Sequence, residues 1–511
     1  MRVLAKNAPL NAVAHELSVL TYNVLAPLYV RPLDARTGGV QQFAAFGWAE
    51  PAAERLDWAA RQPRLSTELR SCAADVLMLQ EVQFEKAADG TLELPQWLQE
   101  VARASGYEAR IPPQRDLREI ASRNERVLGT FCAVGNALLW RPSRLEAATA
   151  AGGKDATTRV GLALRGRRDG PLAPLGPTAF FSVHLDAKSE AQRVGQLEKC
   201  LEAARSFGTR EVVIAGDLNT EALRGSAVGT LLGVGEPTAD DLARECASAL
   251  RLGDAEPSDD EGEGAAAGGG GGDGDGGSAV PTEEQMASWT ELHRTAATAL
   301  ATSRIALARV PSGATRAAYL PGQTAGPCGS WSLDHVLFSS RTLTPSARWA
   351  TLEALPDDAA AGLPTVACPS DHLPLGAAFE IAPAPALDAA GRAAFLATLA
   401  ALEAAQAAER AALATEQAAA QAAAEAAVVA AGGFEEEPPA AKGKKNKKKG
   451  GPPPPAMIEF LRGKREAERA QRLAHREQRA EFAAGCGDTQ LDVLEEERGG
   501  LVKEWVEAGV K

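Results

Sequence analysis

Residues Glu211–Asn219 read EVVIAGDLN. Glu211–Ala215 is a short apolar, β-branched run, the pattern of a buried strand rather than a helix. Gly216-Asp217-Leu218-Asn219 follows at once, ending the run with an acid and an amide two residues apart. Strand alternation would put Asp217 and Asn219 on one face, where they could hold a water and a phosphate oxygen together. The same string also fits an Asx-rich turn after a strand.

The construction recurs along the chain. Leu17–Leu25 (LSVLTYNVL) is an apolar run carrying Asn23, and Asp75–Gln80 (DVLMLQ) is a buried-strand pattern followed by Glu81. Asn136–Trp140 and Thr178–Val183 are further strands, the latter ending at His184. Leu333–Ser339 carries Asp334, and Asp371-His372 precedes the strand Leu375–Ile381. Pro51–Cys72 and Ser189–Ser206 have helical spacing. Strands alternating with helices predict an α/β domain over residues 17–382. Polar, metal-compatible side chains at strand ends predict its site, because that is where α/β sheets build sites. Each residue alone reads equally well as a cap or a core group; a lone strand histidine is more often structural. Ser370-Asp371-His372 is not a hydrolase triad, since a triad is assembled from distant positions and no G-x-S-x-G elbow occurs.

The rest of the chain is compositionally distinct. Residues 254–280 are acidic and glycine-rich and are expected to be a disordered insertion, with too little apolar surface to offset ordering. Residues 388–431 are alanine-dense and predict a long helix. Residues 432–455 form a Lys/Pro-rich linker, and 456–511 a charged helical tail. The lysine cluster at 442–449 could touch RNA or serve as a nuclear address, though a solvated charge run is the commoner outcome. A coiled-coil contact through these helices would bring protein partners, but alanine makes a poor seam.

The net charge of −13 argues against nucleic-acid binding through bulk charge, although a bound metal can supply positive charge locally. The 7 cysteines are scattered and form no C-x-x-C, which fits reduced thiols better than a disulfide framework. No secretory h-region and no membrane-spanning apolar run occur, so a soluble intracellular enzyme, cytoplasmic or nuclear, is expected.

Taken together and in this order, TYNVLA, LQEV, SVHL, GDLN, LDH and SDHLPL resemble the motifs of the endonuclease/exonuclease/phosphatase superfamily. Leu56-Asp57-Trp58-Ala59-Ala60-Arg61 leading into Ala74–Gln83 is similar to its carbon-catabolite-repression deadenylase, Angel, nocturnin and 2′,5′-phosphodiesterase branch. The resemblance implies a four-layer α/β sandwich, DNase I-like, with two packed sheets flanked by helices. It implies that Glu81 is the main Mg²⁺ ligand (Mn²⁺ being the alternative), aided by Asn23 and Asp371. Asp217, helped by Asn23, would orient or deprotonate the attacking water. Asn219 and His184 would hold phosphate oxygens, and His372, its ring fixed by Asp334, would stabilise transition-state charge. Two positions depart from the branch. Val134-Gly135-Asn136-Ala137 stands where many members carry Asp-Gly-Cys-Ala, and His335 follows Asp334 and is expected to face away from it.

The implied activity is a 3′→5′ exoribonuclease, deadenylase-like, with single-stranded RNA as its partner. One alternative is a hydrolase of a small phosphorylated molecule: a 2′,5′-oligoadenylate, a dinucleotide phosphate or an inositol phosphate. The other is a non-catalytic RNA-binding scaffold using the tail. Aromatic residues are only 5% of the chain, a thin supply of platforms for stacked bases.

Overall fold

The structure, a computed structural model, describes residues 1–30, 46–148, 155–221, 225–232, 237–254, 281–303, 305, 307–319, 328–383, 387–430, 454–486 and 488–498. Nearly all of the expected insertion and of the Lys/Pro-rich linker lies outside the described residues, as does 499–511. The chain divides into two compact units, Met1–Pro385 and Ala386–Lys511.

In the first unit the strands run, in order, β1 (Arg2–Leu4), β2 (Leu17–Asn23), β3 (Val76–Lys86), β4 (Leu92–Glu93), β5 (Glu108–Arg110), β6 (Ala133–Trp140), β7 (Leu145–Ala147) and β8 (Arg159–Gly166). They continue with β9 (Thr178–His184), β10 (Val212–Asp217), β11 (Leu307–Arg309), β12 (Arg316–Ala318), β13 (Gly329–Trp331), β14 (Asp334–Ser339), β15 (Leu343–Trp349) and β16 (Leu375–Ile381). One sheet has the order β1-β15-β16-β2-β3-β6-β5, with β4 on β3; the other has the order β11-β14-β10-β9-β8-β7; β12 and β13 form a separate hairpin.

Alternation explains why the sheets stack. Leu17 and Val19 of β2, Val76 and Met78 of β3, and Leu375, Ala377 and Phe379 of β16 share one core with Phe180, Val213, Ala215, Val336 and Phe338 of the second sheet. Leu20, Tyr22, Leu77 and Leu79 point the other way, into a core with Leu65, Leu69, Leu98, Val101, Leu117 and Ala121 from the helices Trp58–Ser71, Gln96–Ser105 and Gln114–Leu128. Phe181, Val183, Val212 and Ile214 likewise face Leu197, Leu201, Val228 and Ala296 from Glu190–Ser206, Ala227–Leu231 and Glu283–Ser303. Helix, sheet, sheet, helix is therefore the layering, the DNase I-like sandwich.

Local differences from the sequence reading have local causes. The helix expected from Pro51 to Cys72 is broken at Leu56-Asp57, where Asp57 takes an extended conformation and caps Trp58–Ser71 by accepting from the Ala59 N–H. Residues before Leu17 belong to the same unit, since β1 pairs in parallel with β15 and Arg2 meets Glu16 at 2.7 Å.

Ala389–Ala430, Pro455–Gly485 and Asp488–Arg498 are the helices of the second unit. Phe395, Leu399, Ala483, Leu491 and Leu494 make its core. Gln406, buried in the pairing of the two long helices, donates to the His475 carbonyl and to Gln478 Oε1. Among the described residues no helix is long and apolar enough to cross a membrane.

Asp75, fully buried at the start of β3, fixes the β2–β3 pairing: it accepts from Ser18 N at 2.8 Å and Ser18 Oγ at 2.7 Å and meets Arg144 at 2.5 Å. Removing one partner of a buried pair strands the other. Asp75→Ala is expected to lower stability by about 3 kcal/mol in urea unfolding, and a loss under about 1 kcal/mol would contradict this role for the pair.

Candidate active site

The inward faces of β2, β9, β10 and β14 each carry a polar side chain at one end of an apolar run. Odd-numbered β2 residues face the second sheet, so Asn23 does too; the same parity brings Asp217 in from β10. On β9 and β14 the even residues face inward, which delivers His184 and Asp334. Register reinforces this, with Asp217 opposite His184 on one side and Asp334 on the other.

Glu81 arrives by a different route. Leu77 and Leu79 face the helices, so strict alternation would send Glu81 there as well. The β3–β6 register shifts between Leu79 and Val82, and Glu81 takes a left-handed backbone, φ 56°. Val82 and Phe84 resume the helix-facing side, so the bulge inserts one residue and turns Glu81 into the cleft. Asn219 is also left-handed, φ 48°. It lies past the end of β10, in an Asx turn whose N–H donates to Asp217 Oδ1 at 2.9 Å, and its side chain donates to the Leu185 carbonyl. A turn, not a shared strand face, places it.

The contacts form a connected set. Asn23 Nδ2 donates to Glu81 Oε1 at 2.8 Å and to Asp217 Oδ2 at 3.2 Å. Glu81 Oε2 accepts from Ala26 N, and Asn23 Oδ1 accepts from Leu25 N. His372 Nδ1 lies 2.7 Å from Asp334 Oδ2, which also accepts from Thr315 Oγ1 at 2.6 Å. His372 Nε2 lies 3.5 Å and His184 Nε2 3.6 Å from Asp217 Oδ2. Ser370 Oγ donates to the Asn23 carbonyl at 2.6 Å, tying the Asp371-His372 loop to the end of β2. Beneath it the buried Arg61 donates to the carbonyls of Val24, Leu25 and Pro369, bracing both segments.

Burial resists charge on His372, but Asp334, Asp217 and Asp371 overcome it and raise the ring to about 10. Burial works upward on Asp217 too, but His372 and His184 hold its carboxyl below the usual range. Glu81 is pushed up, first by burial and then by the neighbouring Asp371 carboxylate. Burial drives Asp334 upward against the pull of His372; with three carboxylates around the ring, the pair stands as imidazolium and carboxylate.

Two acid groupings could be considered for a cation. Asp217, Asp334 and His372 offer ligand atoms within 4.8 Å of one another. Both nitrogens of that ring already face carboxylates, and an imidazolium has no lone pair to give a metal. Glu81 and Asp371 fit better: the Asp371 carboxylate disfavours charge on Glu81, an imbalance a divalent cation relieves, and oxygen donors suit Mg²⁺ or Mn²⁺. As placed, Asn23 directs its NH₂ at the carboxylates and its Oδ1 at Leu25 N, so it sets their spacing rather than presenting a donor oxygen.

The set therefore brings together Asn23, Glu81, His184, Asp217, Asp334, Asp371 and His372, with Asn219 in the adjoining turn. Asn136 is structural, donating to the carbonyls of Thr158 and Ser182. His335 turns from Asp334 and packs outward, Nε2 at 2.9 Å from the Thr220 carbonyl. Sequence reasoning missed Thr315, which braces Asp334, and Arg316, whose Nη2 lies 3.6 Å from Asp371 Oδ2. Gly313–Ala318 has neither an apolar run nor a period to mark it.

The sequence profile of the Endonuclease/Exonuclease/phosphatase family matches residues 20–372. No curated protein matches the chain. Solved structures similar to it include ANGEL2, described as a 2′,3′-cyclic phosphatase, bound to adenosine-2′,3′-vanadate: 18% identity over 71% of this chain and 95% of that one, TM-score 0.40. The human nocturnin catalytic domain with a sulfate anion is another, with 14% identity over 72% and 96% and a TM-score of 0.37. A humanised D. rerio TDP2 shows 12% identity over 72% and 99%, TM-score 0.33.

Outside this set, burial lowers His335 to about 4. The unfolded histidine takes its proton near pH 6.5, so protonation favours the unfolded chain as pH falls from there toward 4. The stability lost over that window is about 3 kcal/mol, and His335→Gln should flatten the pH dependence of urea unfolding by about that amount. Identical slopes for the two proteins would contradict a buried neutral ring.

Proposed function

The chain belongs to the Endonuclease/Exonuclease/phosphatase family, and on that premise we propose that it is a divalent-metal-dependent phosphodiesterase that shortens single-stranded RNA from its 3′ end. The observation that carries the hydrolytic part is the single cleft in which Asn23 joins Glu81 to Asp217 while His372 stands between Asp217 and Asp334. The RNA part rests on the likeness of Leu56–Arg61 and Ala74–Gln83 to the deadenylase branch.

Hydrolysis of a phosphodiester needs water aligned opposite the leaving oxygen and positive charge on the phosphate oxygens. Asp217, low in proton affinity and held by Asn23 and the Asn219 N–H, accepts a hydrogen bond from that water and orients it. His372 stays charged beside it, and its Nε2, 3.5 Å from Asp217 and so without a good hydrogen bond, would donate to the phosphate as the transition-state charge develops. Asp334, braced by Thr315, fixes the orientation of the charged ring. His184 and Asn219 flank the phosphate from the other rim. Glu81 and Asp371 would hold Mg²⁺ or Mn²⁺, which when bound polarises a phosphate oxygen.

Glu81→Gln should lower kcat/KM by about 10²–10³-fold while leaving thermal unfolding near wild type, His372→Ala should lower kcat/KM as much and also destabilise the fold by stranding Asp334, and excess EDTA should abolish turnover reversibly. The substrate is read from product analysis on A-tailed RNA, 2′,5′-oligoadenylate, a dinucleotide polyphosphate, an inositol phosphate and an RNA ending in a 2′,3′-cyclic phosphate. Stepwise shortening of the tailed RNA with release of 5′-nucleotides is expected. Turnover of a small phosphate with none of RNA would overturn the RNA assignment, and no turnover of any would overturn the hydrolase.

A further inference from the structure

Arg316 stands at the rim of the cleft with its backbone held and its guanidinium scarcely used. The preceding Thr315 is fixed on three sides: its hydroxyl donates to Asp334, its N–H to the Trp331 carbonyl, and its carbonyl accepts from Leu373 N at 2.6 Å. Arg316 itself makes an isolated antiparallel bridge to His372 and pairs with Trp331 across the β12–β13 hairpin. The start of its side chain is therefore as fixed as the catalytic histidine.

The head is another matter. Its Nη2 comes only to 3.6 Å of Asp371 Oδ2, beyond a good hydrogen bond, and its buried Nε meets no acceptor among the described residues. About a third of the side chain, 36%, is open at the cleft mouth. A buried N–H without an acceptor is costly, and a guanidinium offers a planar fork that matches two phosphate oxygens. The cleft otherwise gathers Glu81, Asp217, Asp334 and Asp371 around the His372 imidazolium, a charge balance that repels an anionic substrate. A fixed cation on the open side corrects it.

We propose that Arg316 is a substrate-binding residue, its Nε–Nη2 edge taking two oxygens of the substrate phosphate beside His372. This rests on the phosphodiesterase reading of the same cleft, and it adds to His372, His184 and Asn219 a guanidinium that takes the phosphate in a two-point contact. The contact with Asp371 is then a resting position that the guanidinium leaves when phosphate arrives.

The test is calorimetric titration of the full chain with inorganic phosphate, with EDTA and separately with Mg²⁺, for wild type, Arg316→Gln and Arg316→Lys. In parallel, the Mg²⁺ dependence and phosphate inhibition of bis(4-nitrophenyl) phosphate hydrolysis are measured. Arg316→Gln should weaken phosphate binding and raise its inhibition constant by about 10- to 100-fold, the range of a lost charge-assisted hydrogen bond. Arg316→Lys, which keeps the charge and loses the fork, should fall between, and it carries the comparison if the Gln variant does not fold. The half-saturating Mg²⁺ concentration should not rise. Unchanged phosphate affinity in the variants, or no phosphate binding by wild type in either condition, would overturn the proposal. So would an effect confined to a raised Mg²⁺ requirement, which would make Arg316 a spacer for Asp371. Failure of wild type to hydrolyse any ester would sink the phosphodiesterase reading instead, and the phosphate titration would still decide the role of Arg316.

Discussion

The pleat of a β-strand sends neighbouring side chains to opposite faces, and in β3 that rule is broken once, between Leu79 and Val82. The break turns one carboxylate from the helix layer into the space between the sheets. Without it Glu81 would lie among Leu65, Leu98 and Val101, where an unpaired carboxylate is costly, and the cleft would lack the acid facing Asp371. The bulge is held by what it enables: Glu81 is grasped by Asn23 Nδ2 and Ala26 N, both from the end of the neighbouring strand.

Strain collects at the same place. Leu25, Glu81 and Asn219 all have left-handed backbones, at φ 52°, 56° and 48°. For residues other than glycine each such conformation costs about 1–3 kcal/mol and persists where surrounding contacts over-determine it. Those contacts are present: Arg61 holds the carbonyls of Val24 and Leu25, Ala26 N donates to Glu81, and Asp217 accepts from Asn219 N. The sandwich supplies a rigid frame of apolar strands, and the departures from regularity at its rim aim the reactive groups.

This division explains what could be read from the residues alone. Apolar runs and their parity carry β2, β9, β10, β14 and β16, and with them the facing of Asn23, His184, Asp217 and Asp334. The layers follow once helix-facing and sheet-facing residues are separated. Parity misleads at Glu81, where only a register shift rescues it, and at Asn219, where a turn takes over from the strand. Thr315 and Arg316 carry no pattern, because a short hairpin at the cleft mouth buries little and needs no period. Arg61 shows only as a tryptophan–arginine spacing, and nothing in composition says that its charge is buried under the Asp371-His372 loop.

On the proposed reading, the bulge gives the cleft a cation site built on Glu81 and Asp371, separate from the carboxylates that hold the His372 ring. Titration of the full chain with Mn²⁺, followed by the loss of the free-ion paramagnetic resonance signal, tests it directly in wild type, Glu81→Gln and His372→Asn. One site is expected in wild type, lost in Glu81→Gln and kept in His372→Asn. A site that survives Glu81→Gln and disappears with His372→Asn would place the ion between Asp217, Asp334 and His372 and contradict this reading.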